Sequence, residues 1–113
     1  MTISTDASGS PSIRPAVPGD APAAARMRYA FRAELGTPNE PEDAFVARCG
    51  AWMAERLASG AWRGWIAEDG GGAMVGQAWV QLVEKMPNPV DEAELHAYVT
   101  NCYVLPGMRG GGI

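Results

Sequence analysis

Apolar residues recur every three to four positions in two segments near the start of the chain, which is the spacing of a helix with one buried face. The first segment, residues 21–35, places Met27, Phe31 and Leu35 on that face. The second segment covers residues 41–59. Its predicted buried positions are Phe45, Cys49, Trp52, Met53 and Leu57.

Aspartate, glycine and proline mark the ends of these helices. Asp20 is predicted to be the N-cap of the first helix, because a carboxylate there can accept hydrogen bonds from the free N–H groups of the first turn. Gly36 and Gly60 are predicted helix ends. Pro41 suits the first turn of the second helix, where its missing N–H donor has no consequence.

Runs rich in β-branched and aromatic residues predict strands over residues 12–17, 62–68, 73–84 and 94–105. A glycine turn joins the second and third runs, so we expect a β-hairpin there. Pro15 lacks a backbone N–H donor, which favours an edge position for the first strand. The predicted order is therefore a strand, two helices, three strands and a glycine-rich loop.

A single domain accounts for this pattern. The chain has 113 residues, of which 47% are hydrophobic and 19% charged, a balance typical of globular domains. Residues 1–11 are small and polar, and we interpret them as a flexible tail before a domain covering residues 12–113. The net charge of −4 argues against a nucleic-acid partner.

The sequence shows no targeting signal and no metal-binding spacing. No apolar run is long enough to cross a bilayer, and the N-terminus lacks a secretory pattern, so we expect a cytoplasmic protein with no membrane partner. Cys49 and Cys102 have no neighbour in a Cys-x-x-Cys or Cys-x-x-His spacing. No metal site is therefore predicted.

The glycine-rich loop at residues 107–112 carries the strongest chemical signal. Glycines let backbone N–H groups converge on a phosphate because no Cβ blocks the approach, and Arg109 adds a positive charge. A Walker A loop is rejected because Ile113 stands where that motif requires lysine. A Rossmann fingerprint fits poorly, since a hairpin sheet precedes the loop and not the opening strand of a βαβ unit.

The arrangement strand-Pro-x-x-Arg-Gly-x-Gly-Ile, following this order of elements, resembles the GCN5-related N-acetyltransferase superfamily. The family's hallmark is Arg/Gln-x-x-Gly-x-Gly/Ala at the turn from its fourth strand into its third helix, and residues 109–113 supply five of those six positions. Residues 97–108 also resemble the fourth strand and its exit, and residues 13–20 resemble the opening strand and its turn. The resemblance implies a mixed α/β (α+β) fold with a mostly antiparallel sheet.

The resemblance further implies that acetyl-CoA is a co-substrate and that the acetyl group passes to a primary amine of a small molecule or peptide by direct attack. Arg109 would lie beside the pyrophosphate. The other implied cofactor-binding residues act through their backbone groups, in the loop and in the strand before it, and they are Gly110, Gly111, Gly112, Cys102, Tyr103 and Val104.

Glu94, His96 and Asn101 are the candidate catalytic residues. Glu94 and His96 lie near the start of the last strand, where the family sometimes places its general base, and a histidine titrates near neutral pH. The alternative for both is a solvated, structural strand end. Asn101 either hydrogen-bonds a reactant or satisfies a strand bulge. Alternation along the strand places Asn101 opposite the face shared by Glu94, His96, Tyr98, Thr100 and Cys102.

Two further regions are candidates for contact with the acceptor. Glu34, Asn39 and Glu40 lie in or beside the connection between the helices, which in this family often covers the acceptor. A solvated connection is the alternative. Trp79 is predicted to be a core residue, and lining the acceptor site is its alternative role.

The chain stops inside the motif, so we expect it to represent the N-terminal two thirds of an acetyltransferase domain, which would be incomplete and inactive by itself. The open edge of the last strand makes a homodimer one expected arrangement. A non-catalytic acyl-CoA-binding or protein-interaction module is the alternative function.

Overall fold

The computed structural model describes residues 11–110. Two helices and four strands follow in the predicted order. A short 3-10 turn at Pro18–Asp20 lies between the first strand and the first helix, and another at Pro106–Met108 follows the last strand. The elements, in chain order, are β1 (Ser12–Pro15), α1 (Ala21–Leu35), α2 (Glu42–Ser59), β2 (Trp62–Glu68), β3 (Met74–Glu84) and β4 (Leu95–Val104).

The four strands form one antiparallel sheet in the order β1-β2-β3-β4. The predicted hairpin is confirmed as β2–β3, and Asp69 closes its turn by accepting hydrogen bonds from the backbone N–H groups of Gly71 and Ala73, each at 2.9 Å. Within residues 11–110, β1 lies at one edge of the sheet, as predicted, and β4 lies at the other edge because sheet order follows chain order.

Both helices pack against one face of this sheet, around Trp79 of β3, which is 1% exposed. In α1 the predicted stripe is only partly right: Met27 is buried and Phe31 half-buried, but Leu35 is 63% exposed. Positions four residues apart drift by about 40° per step around a helix of 3.6 residues per turn. At Leu35, two steps after Met27, the stripe has turned away from the sheet.

The buried face of α2 is only partly as predicted. Met53 is buried, and Cys49 and Leu57 pack half-buried against the core, but Val46 and Gly50 are also buried and Trp52 is 39% exposed. Gly50 lies against the start of α1, where an added Cβ would be 3.8 Å from the backbone oxygen of Ala21, an ordinary van der Waals distance.

Asp20 occupies the N-cap position of α1 but makes no cap hydrogen bond there. Its carboxylate instead accepts hydrogen bonds from Arg14 at 2.8 Å and from the backbone N–H of Val17 at 2.7 Å. The guanidinium of Arg14 thereby lowers the pKa of Asp20. The ion pair links the end of β1 to the start of α1. No helix in the described part of the chain is both long and apolar enough to span a membrane.

Candidate active site

A β-bulge interrupts β4 near its end. Trp79 lies opposite Thr100 and Gln77 opposite Tyr103, so β4 contains one residue more than β3 in the same interval. Asn101, at the bulge, has a φ of 51°, a left-handed conformation that asparagine tolerates better than most residues. The extra residue reverses the alternation of side chains beyond this point.

The bulge corrects the predicted faces of Asn101 and Cys102. The side chain of Asn101 is 9% exposed and lies on the helical side of the sheet, where its Oδ1 accepts a hydrogen bond of 3.2 Å from Arg28 of α1. It therefore shares a face with Thr100. Cys102 lies on the opposite side of the sheet. There it lines an apolar depression of about 210 Å³ together with Ile13, Trp65, Ala67, Ala78 and Val104.

Beyond the bulge, the outer edge of β4 exposes backbone groups. The N–H of Leu105 donates to the carbonyl of Val75 at 2.9 Å, so these two residues form a hydrogen-bonded pair. Hydrogen-bonded and non-bonded pairs alternate along an antiparallel ladder, so Val104 and Gly76 form a non-bonded pair and Tyr103 and Gln77 a hydrogen-bonded one. The backbone of Tyr103 is therefore directed toward β3, whereas that of Val104 is directed outward. No strand in the described part of the chain pairs with this edge.

The side chains of Glu34, Tyr103 and Arg109, which we call the Glu34 cluster, join α1 to the end of β4. The Glu34 carboxylate accepts hydrogen bonds from the Tyr103 hydroxyl and from Arg109, whose Nη2 lies 2.9 Å from Oε1. The hydrogen bonds from these two groups lower the pKa of Glu34. Arg109 also donates from Nε to the carbonyl of Val104 at 2.8 Å. The side chain of Arg109 therefore braces the loop and the strand end.

An aromatic stack extends this cluster along α1. The rings of Phe31 and Tyr103 are stacked with centroids 4.9 Å apart. The guanidinium carbon of Arg109 lies 5.3 Å from the Tyr103 centroid, and that of Arg28 lies 5.5 Å from the Phe31 centroid. The guanidinium carbon of Arg32 also lies 5.9 Å from the Phe31 centroid. Three cations therefore make cation–π contacts with the stacked pair.

The glycine loop is described only as far as Gly110, which has a φ of 83°. An alanine would be strained there. Gly111 and Gly112 lie outside the described residues, so the predicted pyrophosphate cradle is represented by Gly110 and by the braced side chain of Arg109.

A cavity of about 120 Å³, which we call the Arg28–Asn101 cavity, lies between the helices and the sheet. Tryptophans from three elements form much of its wall. The Nδ2 amide group of Asn101 is buried and has no hydrogen-bond partner among the described residues. A buried donor left unsatisfied costs about 1–3 kcal/mol. Besides Arg28 and Asn101, the wall includes Trp52, Trp62, Trp79, Thr100 and Cys49.

Glu94 and His96 are not brought to this region. Both are exposed, Glu94 immediately before β4 and His96 in its first half, and the backbone N–H of Lys85 donates to the carbonyl of Glu94 at 2.9 Å. His96 precedes Cys102 by six positions, a distance of roughly 20 Å at about 3.3 Å per residue. Their catalytic roles stay predictions, and the geometry separates them from the residues expected to hold the cofactor.

Of the residues between the helices, Glu34 reaches β4 whereas Glu40 stays within the helical layer. The Tyr29 hydroxyl donates to the Glu40 carbonyl at 2.9 Å, and Arg48 pairs with its carboxylate. Trp79 is a core residue as predicted, and its Nε1 donates to Gln77 at 2.9 Å. It also forms part of the wall of the Arg28–Asn101 cavity. Its alternative role, lining the acceptor site, stays a prediction.

Arg28 was not identified from the sequence. It lies on the same side of α1 as Phe31, three residues later, a spacing that places two residues on neighbouring turns of one helix face. A charged residue in line with an apolar stripe was the available signal. Arg28 is a candidate site residue because it donates to Asn101, which is 73 positions away in the chain.

Known structures share this architecture. A GCN5-related N-acetyltransferase from Ralstonia eutropha superposes with a TM-score of 0.69 at 28% identity, covering 89% of this chain and 66% of its own length. The chain belongs to the GCN5-related N-acetyltransferase superfamily. The predicted mixed α+β fold with an antiparallel sheet is thereby confirmed.

Two further structures of the superfamily fold contain coenzyme A groups. A predicted acetyltransferase from Clostridium acetobutylicum, solved with acetyl-CoA, matches at a TM-score of 0.73 and 23% identity, over 92% of this chain and 66% of its own. AAC(6')-Iy was solved with the bisubstrate analogue CoA-S-monomethyl-acetylneamine. It matches at a TM-score of 0.59 and 24% identity, over 93% of this chain and 64% of its own. The chain thus spans about two thirds of these structures. No family model and no curated protein matched the sequence.

Proposed function

We propose that this chain forms the cofactor-binding part of an N-acetyltransferase that moves an acetyl group from acetyl-CoA to a primary amine. The observation that carries the proposal is the bulged end of β4, which directs the backbone of Val104 outward beside a glycine loop. The neighbours solved with acetyl-CoA and with a CoA bisubstrate analogue support a coenzyme A ligand for this fold.

The open edge of β4 fits the pantetheine arm of acetyl-CoA. Pantetheine contains two amides, so it can pair with an unpaired strand edge through donors and acceptors, as an added strand does. Val104 offers its backbone N–H, while its carbonyl already accepts from Arg109. Cys102 lies two residues away on the same edge, whereas the backbone of Tyr103 is directed into the sheet. We therefore assign the edge contacts to Cys102 and Val104.

The glycine loop would bind the pyrophosphate through its backbone. Gly110 already has the positive φ that lets consecutive N–H groups point to one side. Arg109 contributes a positive charge nearby, but its Nε and Nη2 donors are engaged with Val104 and Glu34. Its role in this proposal is to position the loop, and the amides of residues 110–112 contact the phosphates.

The reaction follows from these placements. A backbone N–H at the bulge polarises the thioester carbonyl, as an oxyanion-hole donor does. The nitrogen lone pair of the amine attacks the carbonyl carbon, the C–S bond breaks, and the electron pair leaves with the thiolate. A base removes the proton from the nitrogen, and the thiolate takes up a proton. Glu94 and His96 lie too far along β4 to contact that carbon directly, so we assign neither role to them.

The acceptor class and the assembly are also proposals. AAC(6')-Iy was solved with an analogue of an acetylated neamine, an aminoglycoside amine, which favours a small-molecule amine for this chain as well. Residues 12–113 would then be the N-terminal two thirds of one catalytic domain. An open β4 edge is compatible with a homodimer.

Calorimetric titration of the full chain with acetyl-CoA tests the proposal, using two alanine variants of the same loop. Gly110→Ala strains the positive φ of the cradle and should weaken acetyl-CoA binding by about tenfold. Gly107→Ala is the matched control, because a Cβ added at Gly107 would have no atom within 4 Å and no positive φ is required there. It should bind like the unmodified protein.

Three results would contradict the proposal. They are no binding of acetyl-CoA, equal affinity in all three proteins, or, for a protein that contains the complete catalytic domain, binding without release of the coenzyme A thiol in the presence of any primary amine. The last result would instead favour the non-catalytic acyl-CoA-binding module.

A further inference from the structure

The Arg28–Asn101 cavity presents hydrogen-bond donors with too few acceptors. The carboxamide of Asn101 uses its oxygen to accept from Arg28, and its Nδ2 is buried without a partner in the described part of the chain. Reversing the amide would satisfy neither group, since two donors would then face each other. No acceptor among residues 11–110 satisfies this amide.

Arg28 is also incompletely paired. No carboxylate of residues 11–110 lies within ion-pair distance of its guanidinium. Burial, and secondarily the nearby charge of Arg32, lowers the pKa of Arg28. An arginine still remains charged near neutral pH. The cavity therefore contains a cation whose nearest polar partner is a neutral amide.

The remaining wall supplies no negative charge. Cys49 is the only other titratable residue that lines the cavity within the described part of the chain. Burial raises the pKa of its thiol, so the group stays neutral. A ligand that complements this wall has to carry the negative charge itself.

The shape of the donor set favours a carboxylate over a larger anion. A guanidinium presents parallel N–H donors that match the two oxygens of a carboxylate. The cavity is about 120 Å³ in volume and has a single cation, whereas tryptophan rings cover much of the rest. A carboxylate attached to a short carbon chain satisfies both the donors and the apolar walls.

The position of the cavity connects it to the acetyl-transfer site. Thr100 and Asn101 line it, and they directly precede Cys102, the residue assigned to the cofactor edge. We propose that the Arg28–Asn101 cavity binds the carboxylate of the acceptor, so that the acceptor is a free amino acid or a similar small amine with a carboxylate. This inference rests on the proposed function, because it names the substrate class of that site.

Acceptor pairs that differ only in the carboxylate test the inference. A protein that contains the complete catalytic domain, of which residues 12–113 are proposed to be the N-terminal two thirds, is assayed for release of the coenzyme A thiol. Each standard amino acid is compared with its decarboxylated amine, for example phenylalanine with phenethylamine. We expect the preferred amino acid to exceed its amine by at least tenfold in kcat/KM, the factor that a charged hydrogen-bonded pair supplies.

Two arginine variants of one helix locate the effect. Arg28→Gln should remove the preference for the carboxylate, mainly by raising KM, while acetyl-CoA still binds. Arg26→Gln is the matched control, because Arg26 is an exposed residue of the same helix that pairs only weakly with Glu42 at 3.7 Å. It should retain the preference. Arg28→Lys keeps the positive charge but lacks the planar guanidinium that can bind both oxygens of a carboxylate. We expect an intermediate preference for acceptors with a carboxylate.

Tryptophan fluorescence provides a readout that does not depend on turnover. Trp52, Trp62 and Trp79 line the cavity, so titration with the preferred amino acid should change their emission in the unmodified protein and in Arg26→Gln. The change should be lost in Arg28→Gln. Circular dichroism of each variant separates a binding defect from unfolding.

The outcomes separate this inference from the proposed function. If acetyl-CoA does not bind at all, the proposed function fails first. If acetyl-CoA binds but the amines without a carboxylate are acetylated equally well, or no amino acid changes the fluorescence, only this inference is wrong. It is also wrong if Arg28→Gln alters the choice between acetyl-CoA and succinyl-CoA instead of the choice of acceptor, because the carboxylate would then belong to the acyl donor.

Discussion

Two polar contacts join α1 to β4, and they differ in how completely their donors are paired. In the Glu34 cluster, the carboxylate accepts hydrogen bonds from both Tyr103 and Arg109, and Arg109 also reaches a backbone carbonyl. Six residues earlier in α1, Arg28 shares one hydrogen bond of 3.2 Å with Asn101 and leaves the Asn101 amide unpaired.

The difference indicates different roles. A satisfied cluster holds the helix, the strand end and the glycine loop in one arrangement. An unsatisfied one costs free energy in the free protein and recovers it when an acceptor arrives. The first contact is therefore suited to positioning the cofactor loop, and the second is suited to binding.

The largest expected effect comes from removing the centre of the satisfied contact. Tyr103 is 5% exposed, and its ring stacks on Phe31. Tyr103→Ala should lower the free energy of unfolding by about 3–5 kcal/mol, the range for truncating a buried aromatic residue. Tyr98→Ala, on the same strand but 60% exposed, should change it by no more than about 0.5 kcal/mol. Urea unfolding measures both, and equal losses would contradict this account of the cluster.

A smaller effect of opposite sign is expected at the unsatisfied contact. Asn101→Asp replaces the unpaired Nδ2 donor with an oxygen that can accept from Arg28, and aspartate also tolerates the left-handed backbone at this bulge. We expect the free energy of unfolding to rise by about 1 kcal/mol at neutral pH.

The same substitution should also weaken binding of a carboxylate ligand, because Arg28 is then already paired. Arg28→Gln combined with Asn101→Asp is the control for the added stability, and the gain should vanish in it. A loss of stability in Asn101→Asp alone would show that the amide is satisfied in solution.

The smallest expected effect concerns the pH dependence of the Glu34 cluster. Hydrogen bonds from Tyr103 and Arg109 lower the pKa of Glu34 below its ordinary value of 4.5. A pKa that is lower in the folded state contributes stability above about pH 4.5, and this contribution is lost as the pH falls through the folded-state pKa. The effect is small because Glu34 is partly exposed to solvent.

Glu34→Gln should remove this part of the acid sensitivity, so its unfolding free energy should fall less steeply below pH 4.5 than that of the unmodified protein. Glu42→Gln, in the exposed first turn of α2, is the control. Identical slopes for Glu34→Gln and the unmodified protein would show that the cluster does not persist in solution.

Local sequence patterns were sufficient to predict the helices and strands. The predicted bounds of α1 and β2 match the structure, and those of the other strands differ by one or two residues at their ends. Periodicity and turn residues act over a few positions, so they are visible in the sequence. The glycine loop was found in the same way, and the family resemblance drawn from it is confirmed.

The pairing of residues across the sheet could not be predicted in this way. Strict alternation placed Asn101 and Cys102 on the wrong faces, because a bulge depends on the register between β3 and β4 and not on either strand alone. The contacts of Arg28 with Asn101 and of Glu34 with Tyr103 span 73 and 69 positions. No local signal encodes such distances.

The order of the elements, the hairpin and the glycine-containing loop after the last strand follow from local sequence, because each depends on residues that are neighbours in the chain. The side chains of α1 that meet β4, by contrast, depend on how distant segments pack together. One extra residue in β4 turns Asn101 toward Arg28 and Cys102 toward the opposite face. That single change of register separates a donor-rich cavity on the helical side from the apolar depression on the other side.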